Sequence, residues 1–149
     1  MQTIHVISHT HWDREWYRTF QVFRARLVGL IDDLLDLMDA QPEYAFFHLD
    51  GQTALLEDYL EIRPGQEPRL KRLIGEGKIL VGPWYTQPDE FLVSGEALIR
   101  NLLLGRRLAT CFGGCMALGY LPDTFGHTGQ MPQILAGFGF PAAILFRGI

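Results

Sequence analysis

The sequence has 149 residues, 48% of them hydrophobic and 20% charged, with a formal net charge of −4. That length suffices for one domain with a real core, burying roughly two-thirds of the unfolded chain's surface. The acidic balance gives no electrostatic reason to expect nucleic acid or an anionic membrane as partner, no apolar run reaches the length of a membrane span, and the first residues lack the basic stretch and cleavage site expected of a signal peptide.

Thr3 to Ile7 is a β-branched run that reads as a first strand, and the polar cluster His9-Thr10-His11-Trp12-Asp13-Arg14-Glu15-Trp16 begins where it stops. Along an extended chain, side chains two apart share a side, which groups His9, His11 and Asp13 and sends Trp12 and Arg14 the other way. Two imidazoles and a carboxylate at a strand end form a donor set for a divalent ion such as Zn²⁺. A long helix follows, with Phe20, Phe23, Leu27, Leu30, Ile31, Leu34, Leu35 and Met38 at spacings of three and four. Gln41-Pro42 ends it. Tyr44 to Leu49 reads as the second strand, closed by Asp50-Gly51. Helical spacing then runs from Thr53 to Ile62 and, after Arg63-Pro64-Gly65, from Glu67 to Gly75.

Lys78 to Val81 reads as a short buried third strand. The loop after it, Gly82 to Glu90, carries Trp84, Tyr85, Gln87, Asp89 and Glu90. Ser94 caps a helix whose buried side is read as Leu98, Ile99, Leu102, Leu103 and Leu108. Cys111 and Cys115 are too few for a disulfide scaffold and lack the second pair a zinc site needs, so they read as the reduced thiols of a cytoplasmic protein. Met116 to Tyr120 is the fourth strand, followed by Pro122-Asp123-Thr124-Phe125-Gly126-His127. A helix over about Gln130 to Ala136 leads to a fifth strand, Ala142 to Phe146, and then to Arg147.

Strand and helix alternate throughout, which predicts an α/β fold with a parallel sheet whose strand C-terminal ends open on one face. The loops after strands one, three and four then meet around one pocket. Asp123 is the natural third ligand beside His11 and Asp13, and such an aspartate can also serve as a nucleophile; a turn carboxylate is its plain alternative. Trp16, Trp84, Tyr85 and Phe125, mixed with Gln87, Asp89 and Glu90, suit a sugar, whose C–H faces lie on aromatic rings. Core rim is the alternative for each aromatic. His5 and His48 read as core or rim, His9 as a group orienting His11 in preference to a third ligand, His127 as a helix cap, and Arg147 as a partner of Asp123 or of a substrate oxygen.

The blocks HxHWDREW, LDGQTALLEDYLEI (Leu49 to Ile62), GPWYTQPDEFLVSGEALIRNLLLG (Gly82 to Gly105) and GYLPDTFGHTGQMPQ (Gly119 to Gln133) together resemble the N-terminal catalytic domain of family 38 glycoside hydrolases, most of all the bacterial branch that includes mannosylglycerate hydrolase. These are zinc-dependent retaining α-mannosidases. The resemblance implies that residues 1–149 are the N-terminal portion, about five parallel strands with flanking helices, of a barrel-like fold of about seven strands, the chain being apparently truncated. It implies one zinc ion per active site on His11, Asp13 and Asp123, with Asp123 also the nucleophile that forms a glycosyl-aspartate intermediate. It further implies that Trp16, Phe125 and Arg147 line the substrate site, and that the substrate is a mannose-containing oligosaccharide or small mannoside. The family's fourth zinc ligand and its acid/base lie further along the chain, so a stretch of this length is expected to lack full activity alone and, with an unfinished sheet edge, to self-associate as a homo-oligomer. A metal-dependent deacetylase or amidohydrolase, and a non-catalytic structural fragment, are the alternative readings.

Overall fold

The computed structural model describes residues 2–148. Its elements run β1 (His9–Thr10), α1 (Phe20–Ala40), β2 (Phe47–Leu49), α2 (Ala54–Leu60), α3 (Glu67–Gly75), β3 (Ile79–Leu80), α4 (Gly95–Cys111), β4 (Gly119–Leu121), α5 (Met131–Gly137) and β5 (Ala143–Leu145), with a 3-10 turn at Pro64–Gln66. All strand pairs are parallel, as the alternation of helix and strand requires. The expected single sheet is instead divided: β1, β2 and β3 pair in that order, and β4 pairs with β5. The strands are short because aromatic, glycine- and proline-containing loops take over at their C-terminal ends.

The first strand differs most from expectation. Residues 3–7 carry no regular structure, Ile4 and Val6 stand exposed, and pairing starts only at His9. A β-branched run favours extension but needs a partner's backbone to become a strand.

Two apolar cores result. The first gathers Leu27, Ile31, Leu35 and Met38 of α1, Leu55, Leu56 and Tyr59 of α2, Leu70 and Leu73 of α3, and Leu49 and Ile79 from the sheet. The acidic face of α1 is used as well: Asp32, Asp36 and Asp39 pair with Arg63, Arg69 and Arg72, and the Tyr59 hydroxyl donates to Asp32 at 2.6 Å. The second core holds Trp84, Leu98, Leu102, Leu121, Met131, Leu135 and Phe140. Helix α4 spans both, since its far end brings Ala109, with Phe112 just beyond, into the first. Its Ser94 cap forms as predicted, accepting from Ala97 N at 3.2 Å. Its buried stripe is Leu98, Leu102, Gly105 and Ala109, while Ile99 and Leu103 face outward. Among the described residues, no helix is long and apolar enough to cross a membrane.

His48 sits at the core of β2, 4% exposed, with its ring edge-on to Tyr120 and its Nε2 without a hydrogen-bond partner. Burial pushes it down to about 4, with Asp50 opposing that shift and His9 adding to it. A folded pKa below the unfolded value of 6.5 means that the unfolded chain takes up a proton first. The stability contribution of this residue is therefore whole above pH 6.5, declines as pH falls toward 4, and levels off below. We expect urea denaturation to show a loss of about 3 kcal/mol across that window relative to His48→Phe, which has no proton to accept.

Candidate active site

Parallel strands aim their C-terminal ends the same way, so the residues that leave them first become neighbours. The chain leaves β1 at His11 and Asp13, β2 at Asp50 and Gln52, the β3 loop at Gln87 and Asp89, and β4 at Asp123. All but Asp50 line one open cleft of about 270 Å³, together with Phe125. The convergence expected of the loops after strands one, three and four is thus present, and the β2 loop joins them.

His11 is the hub. Its Nε2 lies 3.3 Å from Asp123 Oδ2 and 3.8 Å from Asp13 Oδ1. One ligand atom from each of these three residues falls within 4.8 Å of the other two. On the opposite edge of the ring, Nδ1 lies 3.2 Å from Asp50 Oδ1. The hydrogen bond to Asp50 is the largest cause that raises His11, to about 9; burial opposes it, and the charges of Asp50, Asp123 and Asp13 add to it. Negative charge thus flanks both edges of the imidazole, where positive charge is stabilised whether a proton or a metal ion carries it.

The first loop parts less strictly than an extended chain predicts, since Trp12 and Arg14 line the cleft along with His11 and Asp13. Trp12 packs on the first core against Phe23, and Arg14 donates to both oxygens of Asp58, at 2.6 and 2.8 Å. His9 does not join the group. It is exposed and registers beside His48, and the orienting contact to His11 expected of it is made by Asp50.

Asp123 divides its oxygens. Oδ2 faces His11, while Oδ1 pairs with the Arg147 guanidinium, which also donates to the Asp123 carbonyl at 3.1 and 3.3 Å. The same guanidinium lies 4.0 Å from the centre of the Phe125 ring, itself well exposed. His127 does not cap α5. Its Nδ1 faces Glu90 at 2.8 Å and its Nε2 faces the Arg147 carbonyl at 2.9 Å, while Glu90 also accepts from Thr128 N at 2.7 Å. Glu90 is buried in this role and does not line the cleft, whereas Asp89 does. The Glu90–His127 pair ties the loop after β3 to the turn that carries Asp123, and fixes the chain on which Arg147 sits.

The aromatics divide. Phe125 lines the cleft. Trp16 is 74% exposed, edge-on to Tyr17, and stands outside it. Trp84 is wholly buried in the second core with its Nε1 donating to the Tyr120 carbonyl at 2.9 Å, and Tyr85 donates its hydroxyl to Glu57. His5 is exposed, and both cysteines are free thiols. The residues that sequence reasoning missed are Asp50 and Gln52. Asp-Gly reads locally as a turn, yet the rule that gathered the other three loops applies equally to the one after the second strand.

A profile described as Glycosyl hydrolases family 38 N-terminal domain matches residues 1–148. A protein of Halalkalibacterium halodurans that bears the provisional name mannosylglycerate hydrolase is 50% identical over 149 residues, covering 99% of this chain and 17% of its own length. Alpha-mannosidase 2C1 of Homo sapiens is 33% identical over 92% of this chain and 13% of its own. The crystal structure of an alpha-mannosidase from Enterococcus faecalis superposes with a TM-score of 0.91 at 45% identity, over 93% of this chain and 16% of that one. The chain thus spans between about an eighth and a sixth of the length of these relatives.

Proposed function

The chain belongs to glycosyl hydrolases family 38, in the region of that family's N-terminal domain, and from this premise we propose that it carries the nucleophile and part of the metal site of a zinc-dependent retaining α-mannosidase. The observation that supports this reading most is the convergence of His11, Asp13 and Asp123 on one point of the cleft. One nitrogen and two carboxylate oxygens suit zinc, and three protein ligands leave further coordination open to a fourth group or a sugar hydroxyl. His11, Asp13 and Asp123 would hold the ion, which when bound supplies a Lewis-acid charge that orients sugar hydroxyls and polarises the site.

The remaining chemistry falls to the protein's own groups. Asp123 attacks the anomeric carbon: its oxygen bonds to C1 as the bond from C1 to the leaving oxygen breaks. Water later cleaves the glycosyl-aspartate with net retention of configuration. By family resemblance, the acid that protonates the leaving oxygen comes from a later stretch of chain. Arg147 holds the carboxylate by one oxygen and its own carbonyl, which limits rotation of the attacking group. Phe125 offers an exposed ring at the rim against which a sugar face can rest. Trp16 belongs to the same proposal as a substrate contact, made by a side chain that stands free. The substrate is a mannose-containing oligosaccharide or small mannoside. We take the two sheets as parts of one barrel-like wall in a cytoplasmic protein. The exposed Ile144 and Phe146 of the last strand region are the ground for expecting self-association.

The test is metal analysis together with proton NMR of 4-nitrophenyl α-mannoside hydrolysis by the full-length protein. We expect one zinc per site, lost in His11→Ala, and α-mannose as the first product. β-Mannose first would overturn the retaining mechanism. Hydrolysis of an acetamide with no glycosidase turnover would favour the deacetylase reading, and zinc uptake with no turnover of either would favour a structural role.

A further inference from the structure

We propose that Asp50 is the positioning residue of this site, fixing the tautomer and ring plane of His11 so that Nε2 is presented to the ion. The proposal rests on the metal reading above. Asp50 is the first residue past β2, wholly buried, and its φ of +48° lies in the left-handed region that non-glycine residues seldom occupy. Aspartate tolerates that region better than most, but a residue held there by its surroundings commonly serves a site.

What holds it is a set of four donors. Oδ1 faces His11 Nδ1 at 3.2 Å and accepts from Gln87 Nε2 at 3.0 Å; Oδ2 accepts from Trp12 N at 2.7 Å and Gln52 Nε2 at 2.8 Å. Gln52 Nε2 also reaches the Trp12 carbonyl at 2.9 Å. Asp50 and Gln52 therefore grip the residue between His11 and Asp13 by both backbone groups, and Asp50 grips the His11 ring as well. A carboxylate accepting from Nδ1–H leaves the lone pair on Nε2, the edge that faces Asp13 and Asp123. No other side chain of the described residues faces Nδ1. An amide of the same shape cannot substitute. Whichever way it flips, its NH₂ meets two of the four donors in a buried space.

The experiment uses zinc as the probe and compares the full-length protein with Asp50→Asn. It combines competition against a chromophoric chelator, circular dichroism to confirm the fold, and ¹⁵N-edited spectra of the imidazoles. We expect about 10- to 100-fold weaker zinc binding in Asp50→Asn. In the wild-type zinc form, His11 should show a protonated Nδ1 and a metal-shifted Nε2, a signature that a merely structural role for Asp50 does not dictate. That spectrum needs no variant, so it decides the matter even if Asp50→Asn does not fold. Zinc on Nδ1, or a folded Asp50→Asn with wild-type affinity, overturns this proposal while leaving the metal site standing. A wild-type protein that takes up no zinc overturns the metal reading and this proposal with it.

Discussion

On the proposed mechanism, Asp123→Asn is expected to lower α-mannoside turnover by a factor of about 10⁴ or more. The substitution keeps the shape of the side chain and takes away its charge. An amide oxygen is a feeble nucleophile toward an anomeric carbon. Turned toward Arg147, its NH₂ confronts a guanidinium that only donates; turned toward His11, it takes a carboxylate oxygen away from the point where the three groups converge. The loss should fall on kcat/KM for 4-nitrophenyl α-mannoside, measured on the full-length protein alongside its zinc content. Mass spectrometry after an activated fluoro-mannoside should find the sugar on the peptide containing Asp123 in the wild type and nowhere in the variant. A fall of less than about 100-fold with the label on another carboxylate would take the nucleophile's role away from Asp123.

The largest effect on stability is expected at Gly105. A Cβ added there would stand 2.2 Å from the Trp84 carbonyl carbon, 2.3 Å from the Pro83 oxygen and 2.4 Å from the Tyr85 nitrogen, all backbone. No rotamer relieves such a contact; α4 or the loop after β3 has to move. Gly105→Val should cost about 3 kcal/mol or more in urea denaturation, and Gly105→Ala should also destabilise. Gly29, in α1, is the control, since nothing lies within 4 Å of its added Cβ. There the ordinary helix preference should win, and Gly29→Ala should stabilise by up to about 1 kcal/mol. Loss at one glycine and gain at the other would show that close approach, and not helix propensity, governs Gly105. Equal gains at both would refute it.

The helices were legible because each must bury a stripe, and a stripe is written at intervals of three and four. The Phe20 to Met38 pattern became α1 with Phe23, Leu27, Ile31, Leu34, Leu35 and Met38 buried. The stripe misled only where apolar residues run two abreast, as at Leu98-Ile99 and Leu102-Leu103, since periodicity cannot say which of two neighbours turns inward. Strands were legible as places and not as lengths, because pairing depends on a partner distant in sequence. Thr3 to Ile7 has the right side chains, but its residues enter no strand. For the site, His11, Asp13 and Asp123 could be grouped from the rule that parallel strands share an end. Asp50 could have been placed by the same rule, but not its contact to the imidazole edge; nor could the roles of Glu90 and Trp84, set by another histidine and a second core across the fold. Local sequence offers a turn, a loop carboxylate and a rim aromatic in their place.

The three groups proposed as ligands come from elements that enter different apolar cores. His11 and Asp13 are carried by the sheet whose residues enter the first core, and Asp123 by the strand that enters the second, with α4 as the brace between them. The gap between the donors is therefore a dimension of the whole domain, as the opening of a pair of calipers is set at the pivot and not at the tips. A substitution at Leu98 or Leu102, in the second core, can change how closely His11, Asp13 and Asp123 converge without touching any of them. On the proposed metal reading, zinc affinity is then expected to gauge the packing of α4.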